Sequence, residues 1–197
     1  MAISAKYEIK RDHILTKGIM VLWEKGYNGT SVKDIVDAAG VPKGSFYNYF
    51  ESKEDFAVKA LDKYFDEFLA EGFSILDDVS KSHRERLITL YEKRVDMMLS
   101  HPDFENGCIA CTLGNEMSNH SEAIRKTITA KESYAKSRII DAVRKAQQAG
   151  EIKNTLDAEI LINFIEDAWK GAIVTRKEFQ NDQSMRNMLL VTKNMLA

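Results

Sequence analysis

Proline occurs only twice in this chain of 197 residues, at Pro42 and Pro102. That is about 1% against an average near 5%. Proline interrupts helices because it has no N–H to donate and its ring strikes the preceding turn. A chain that almost excludes it, and holds only 10 glycines, is free to be helical nearly throughout. No run of alternating β-branched residues with hairpin glycines competes with that pattern. The expected fold class is all-α.

The length suits one or two domains with a real core. Apolar residues make up 44% and charged residues 29%, the balance of an ordinary globular protein. No stretch approaches the roughly 20 apolar residues that cross a bilayer. The N-terminus has no continuous apolar segment of the secretory kind. Cys108 and Cys111 are too few for the disulfide framework of a small secreted domain. Together these point to the cytoplasm and to no membrane partner. The net charge is −2. Residues 1–60 carry nine Lys/Arg and eight Asp/Glu, and residues 61–197 carry nineteen and twenty-two. The resulting +1 and −3 do not by themselves indicate a nucleic-acid partner.

Local signals divide the chain into helices. Ile14, Leu15, Ile19, Leu22 and Trp23 recur at helical spacing, and Gly26 follows as a terminator, which predicts a helix over 6–25. Ser31-Val-Lys-Asp34 has the form of a capping box and opens a short second helix ended by Gly40. Pro42, placed near N1, opens a third helix running through Phe50. Ser52 caps a long helix to about residue 76, with Glu54 and Asp55 in its first turn. Further helices are predicted over 83–100, 106–118, 121–149, 157–180 and 182–196, with a break at Pro102. The count is about nine. A headpiece over 1–55 and a larger helical body over 56–197 share the long helix.

The second and third predicted helices, joined through Ala39-Gly40-Val41 and braced by the first, make a helix-turn-helix pattern. A helix that enters the major groove needs a polar outer face without bulky apolar groups. The third helix offers Lys43, Ser45, Tyr47 and Asn48 outward, while Phe46 and Phe50 anchor it. Gly44 permits close approach of the backbone, and the Tyr47 and Tyr49 hydroxyls can reach phosphates. Thr30, Ser31 and Lys53 stand at helix starts, where phosphate is attracted.

The string Gly-Tyr-Asn-Gly-Thr-Ser-Val-Lys-Asp-Ile at 26–35, followed by Ala-Gly-Val-Pro-Lys-Gly-Ser-Phe-Tyr-Asn-Tyr-Phe-Glu-Ser-Lys at 39–53, closely resembles the DNA-binding domain of the tetracycline-repressor (TetR/AcrR) family. Order, spacing and residue types agree over roughly residues 10–58. The one local departure is Gly18, where alanine is expected. Glycine there weakens the helix by up to ~1 kcal/mol. The resemblance implies a homodimeric transcriptional regulator, usually a repressor. Two headpieces would read a palindromic double-stranded operator, and a helical domain would sense a small-molecule inducer. It carries DNA contacts over to Thr30, Ser31, Lys43, Gly44, Ser45, Tyr47, Asn48 and Lys53, and it pairs the last two helices with those of a second copy.

In the body, Asn106-Gly-Cys-Ile-Ala-Cys-Thr-Leu-Gly-Asn-Glu-Met117 carries most chemistry. Cys108 is predicted in the first turn of a helix, where the dipole favours thiolate. Asp103 and Glu105 would oppose this. Read from the residues, the pair is a packing feature or a reactive thiol site. Neither a metal centre nor a thioredoxin-like enzyme is supported, since His101 and His120 have no ligand spacing and no strand precedes the CxxC. Gly107-Cys-Ile…Leu113-Gly-Asn-Glu…Ser121-Glu-Ala-Ile-Arg125 and Trp169-Lys-Gly-Ala…Lys177 look like the sensor region of the N-ethylmaleimide-reductase repressor (NemR) subgroup. That resemblance implies a thiol at Cys108 that reacts with electrophiles or oxidants and can pair with Lys177. Cys111 departs from the subgroup, as a resolving thiol or an idle one.

Other readings stay open on sequence. Tyr64, Phe68, Tyr91, Met97, Met98, Phe104, Met117 and Trp169 could line a cavity for a reversible apolar ligand, or be plain core. A thiol oxidoreductase using Cys108 and Cys111, and a helical adaptor binding only protein, are the alternatives of other classes. No cofactor, metal or catalytic constellation is expected: the four histidines are scattered and no glycine-rich phosphate loop occurs.

Overall fold

A computed structural model describes residues 2–100 and 107–197, with side chains from residue 5 onward. The break expected at Pro102, together with Asp103, Phe104 and Glu105, lies outside the described residues. Among the described residues there are nine helices and no strand, so the chain is all-α as expected. They are α1 (Ala2–Lys25), α2 (Val32–Ala38), α3 (Lys43–Phe46), α4 (Lys53–Leu76), α5 (His83–Ser100), α6 (Ile109–Met117), α7 (Glu122–Gln148), α8 (Ala158–Phe179) and α9 (Gln183–Met195).

Both boundaries of the third helix differ from the sequence reading. Pro42 is the N-cap of α3 and not its first helical residue. The third helix also ends at Phe46, four residues early. Beyond it the backbone tightens: Asn48 and Tyr49 donate to the carbonyls three residues back, Ser45 and Phe46. Phe46 and Phe50 are both buried, and the tight turn brings both rings inward before Ser52 starts the next helix.

The chain forms two compact units. One joins Met1–Phe65 with Cys108–Ala130, and the other joins Asp66–Gly107 with Lys131–Ala197. The first therefore holds more than the segment 1–55 expected to form the headpiece, because α6 and the start of α7 belong with it.

The first unit is built on aromatic packing. Phe46, Phe50 and Phe56 form a triangle with ring centroids 5.0–5.8 Å apart, in tilted and edge-on arrangements that suit ring quadrupoles. Leu22, Ile35 and Leu61 are fully buried around it. Gly18 is a packing requirement here. A Cβ at that position would stand 2.5 Å from the Phe56 ring and 2.7 Å from the Ile35 side chain. The lost helix propensity is exchanged for close approach of α1 to α2 and α4.

The second unit has a polar knot in its core. Arg94 makes a forked pair with Glu166, at 2.7 and 3.0 Å. Tyr91 donates to the same carboxylate at 2.8 Å. The guanidinium lies over the Trp169 ring, 4.3 Å from its centroid. Burial disfavours the Glu166 anion, but Arg94 and the Tyr91 hydroxyl outweigh it and hold the carboxyl below its usual range. Desolvation of the two ions offsets much of their attraction, so such a pair adds little net stability.

Candidate functional site

The helix-turn-helix is locally encoded. Ser31 caps α2: its hydroxyl accepts from the Asp34 N–H, and the Asp34 carboxylate accepts from the Ser31 N–H at 2.8 Å. The capping box is therefore formed as the sequence predicts. Asp34 also pairs with Lys25 at 3.0 Å, and these contacts hold its carboxyl well below the usual carboxylate range, the Ser31 hydroxyl contributing most. At the other end of α2, Gly40 adopts φ +64°. This lets the Val41 N–H return to the Val36 carbonyl, closing a Schellman turn that sets the angle between α2 and α3.

Lys43, Gly44, Tyr47 and Asn48 form one exposed polar surface, with Ser45 half-buried beside them. Tyr47 keeps 57% of its surface exposed, while Phe46 beneath it keeps none. A Cβ on Gly44 would meet nothing within 4 Å, so that side of the backbone is open. Tyr7 supports this surface from α1. Its hydroxyl donates to the Asn48 carbonyl at 3.2 Å, and its ring lies 4.7 Å from that of Tyr49. Position 7 lay far from the motif, so only the fold discloses this role.

Two residues that the resemblance placed among the DNA contacts are turned inward. Thr30 is 2% exposed, and its hydroxyl donates to the Gly26 carbonyl at 2.7 Å, so its side chain braces the turn. The Lys53 ammonium donates to the carbonyls of Tyr27 at 2.9 Å and Thr30 at 2.8 Å, and lies over the Tyr27 ring. Burial lowers its pKa, with Glu116 acting in the other direction. Lys53 is thus a clamp on the turn before α2.

That turn is held from a second side. Glu116, near the end of α6, accepts from the Asn28 N–H at 2.9 Å. Its carboxylate also occupies the space beside Gly26, where an added Cβ would strike it. Ser121 bonds Glu54 and caps α7 through the Ile124 N–H.

At the start of α6, Cys108 is the N-cap, one position ahead of the expected first turn. Neither Cys108 nor Cys111 is in a disulfide, and both are half-buried. The Tyr64 hydroxyl lies 3.8 Å from the Cys108 sulfur, and Trp23 packs edge-on against Tyr64. The Cys111 thiol is the chief stabiliser of the Cys108 thiolate, working against burial. The Cys111 N–H, the Tyr64 hydroxyl and the Ala110 N–H add to it. The dithiol accordingly loses its first proton with an apparent pKa lowered to about 6. Sequence placed Tyr64 with possible cavity residues; its contact with the thiol was not legible. Lys177 is exposed in the last turn of α8, in the other compact unit. Among the described residues no group of three or more metal-ligating side chains converges, and no helix is long and apolar enough to cross a membrane.

Comparison with known proteins places this arrangement. Residues 14–60 match the N-terminal domain described as bacterial regulatory proteins, tetR family. Residues 84–190 match the tetracyclin repressor-like C-terminal domain. The chain is 32% identical to the transcriptional repressor DhaR of Mycobacterium sp. strain GP1, across 92% of this chain and 89% of the relative. It is 26% identical to the transcriptional repressor NemR of Escherichia coli K12, across 95% and 94%. The crystal structure of reduced E. coli NemR superposes with a TM-score of 0.87 at 24% identity, covering 95% of this chain and 97% of that one, and so shares the fold. The helix-turn-helix, the helical body and both domain matches agree: the chain belongs to the TetR family of DNA-binding bacterial transcriptional regulators.

Proposed function

We propose that this protein is a homodimeric repressor that binds a palindromic operator through two copies of the α2–α3 headpiece. It releases that operator when an electrophile or oxidant acts at Cys108. The observation that carries the DNA reading is the two-faced segment of α3 and the turn after it: Lys43, Gly44, Tyr47 and Asn48 exposed over a buried Phe46. Polar side chains on a helix anchored from beneath are what the major groove accepts. Ser31 and Ser45 complete the proposed contact set, with Thr30 and Lys53 holding the turn that positions it. A near-neutral headpiece is compatible with this, because phosphate contact depends on local placement and a dimer doubles every contact.

The signal reading rests on the environment of Cys108, a thiol with a lowered pKa in a half-buried residue at a helix start. Thiolate is the reactive form. Cys108 opens α6, and Glu116 near its other end bonds the Asn28 N–H of the headpiece turn. Modification that repacks α6 therefore has a short route to the headpiece inside one compact unit. A shift of only a few kcal/mol between two dimer states suffices for such a switch. Lys177 is the further partner that the NemR resemblance assigns to the modified sulfur. Two copies are supported by the apolar groups that α8 and α9 leave exposed.

Gel shift with the DNA upstream of the protein's own gene tests both halves. Lys43→Ala and Tyr47→Ala should abolish the shift. N-ethylmaleimide or hydrogen peroxide should release the wild-type complex and leave the Cys108→Ser complex bound. Release of the Cys108→Ser complex would move the signal to a reversible apolar ligand.

A further inference from the structure

The sensor reading above needs one reactive sulfur, yet α6 carries two. We propose that Cys108 and Cys111 form an intrachain disulfide across the first turn of α6 when a hydroperoxide oxidises the protein, with Cys111 as the resolving thiol. The proposal rests on Cys108 being the responding thiol.

Three observations support it. The cysteines occupy the N-cap and the third position of one helix. Residues three apart on a helix have Cβ atoms about 5–6 Å apart, and a disulfide needs about 3.5–4.5 Å between them, so the bond closes with a shift of about 1–2 Å at Cys108, whose backbone is extended and not yet held in the helix. Both residues are half-buried, so bulk water is partly excluded from the pair. The Cys111 thiol is also the principal group stabilising the Cys108 thiolate, which places the second sulfur beside the first before any oxidation.

The chemistry balances with the peroxide as sole oxidant. The Cys108 thiolate attacks one peroxide oxygen, the O–O bond breaks, and hydroxide leaves, giving the sulfenic acid. The Cys111 sulfur then attacks the Cys108 sulfur, the S–O bond breaks, and water departs with the thiol proton. Two electrons pass from the dithiol to one peroxide. The Tyr64 hydroxyl, 3.8 Å from the Cys108 sulfur, can hold the anion before attack. Closing the bond removes the sulfur hydrogen bonds at the start of α6, the helix whose Glu116 grips the headpiece turn. A resolving thiol further makes the signal reversible, since it intercepts the sulfenic acid before further oxidation.

The test uses the full-length protein and hydrogen peroxide. No Lys or Arg lies between Arg94 and Arg125, so trypsin leaves both cysteines in one peptide. Oxidised wild type should yield that peptide lighter by two hydrogens, with loss of both free thiols. Dithiothreitol should restore the thiols and operator binding together. In Cys111→Ser the Cys108 sulfenic acid should be trapped by dimedone, and prolonged peroxide should cause loss of binding that dithiothreitol no longer reverses. Lys177→Ala should leave the linked peptide unchanged. A wild-type product that keeps a free Cys111 thiol, joins two chains, or links Cys108 to Lys177 overturns the disulfide while leaving the Cys108 sensor standing. Peroxide-driven release from Cys108→Ser removes both.

Discussion

Glu116 accepts a hydrogen bond at 2.9 Å from the backbone N–H of Asn28, 88 positions earlier in the chain. Asn28 stands in the turn between α1 and α2, and Lys53 grips that turn at the carbonyls of Tyr27 and Thr30. Anion and cation thus bind one short segment at opposite kinds of backbone group. Glu116→Ala should lower stability by about 1 kcal/mol, the usual net worth of a partly exposed hydrogen bond. It should raise amide exchange at Asn28 selectively. Urea unfolding and hydrogen exchange check this; an unchanged Asn28 rate would show that the tether does not hold the turn.

Gly18→Ala should destabilise although it raises helix propensity. Propensity alone predicts a gain of about 1 kcal/mol. The new methyl would collide with the buried Phe56 ring and Ile35, and overpacking a tight core costs about 1–3 kcal/mol. The collision dominates because both neighbours are fully buried and held on other helices. A thermal melt shifted downward is the expected result.

These two cases mark what the sequence could and could not disclose. The bounds read for α5 match to the residue, and the Ser31–Asp34 capping box forms as read, because such punctuation and caps act locally. The polar face of α3 was legible for the same reason: the inward partners Phe46 and Phe50 are its own neighbours. Glu116, Tyr7 and Tyr64 were not, since their roles depend on contacts spanning tens of residues. Lys53 and Thr30 show the same limit. Each stands at a helix start where phosphate could bind, but whether a side chain turns outward depends on which carbonyls the fold leaves nearby. Gly18 looked like a cost because its neighbours come from α2 and α4.

Lys43 and Lys53 should separate in a salt titration of operator binding. A lysine that neutralises a phosphate contributes about 0.9 to the slope of log K against log salt concentration. Lys43→Ala should reduce the slope by about that amount for each chain. Lys53→Met should weaken binding with no change of slope, because its ammonium already serves two carbonyls, and should cost about 1–2 kcal/mol of stability. A reduced slope for Lys53→Met would return it to the phosphate contacts.

Cys108 should alkylate with an early pH profile. The contacts with Cys111 and Tyr64 lower the apparent thiol pKa to about 6, so thiolate predominates above that pH and is lost below it. The iodoacetamide rate should be flat from pH 7 upward and fall through pH 6, whereas an ordinary thiol is only half ionised at about pH 8.5 and still gaining there. Cys111→Ala should move the midpoint upward, and Tyr64→Phe should move it less. An unshifted midpoint in Cys111→Ala would mean that the second sulfur does not tune the first.

Phe164 tests the second copy. Ile160 and Phe164 on α8, with Leu190 and Val191 on α9, keep between 52% and 63% of their surface exposed. On one chain these four have little to do with stability, so Phe164→Glu should leave the helical circular dichroism and melting temperature nearly unchanged. In a symmetric four-helix interface the same change sets two carboxylates in an apolar seam, where each ion loses hydration worth several kcal/mol. The variant should elute with a monomer's mass and lose operator affinity, since one headpiece alone grips half the phosphates. Elution as an intact dimer would move the interface away from α8.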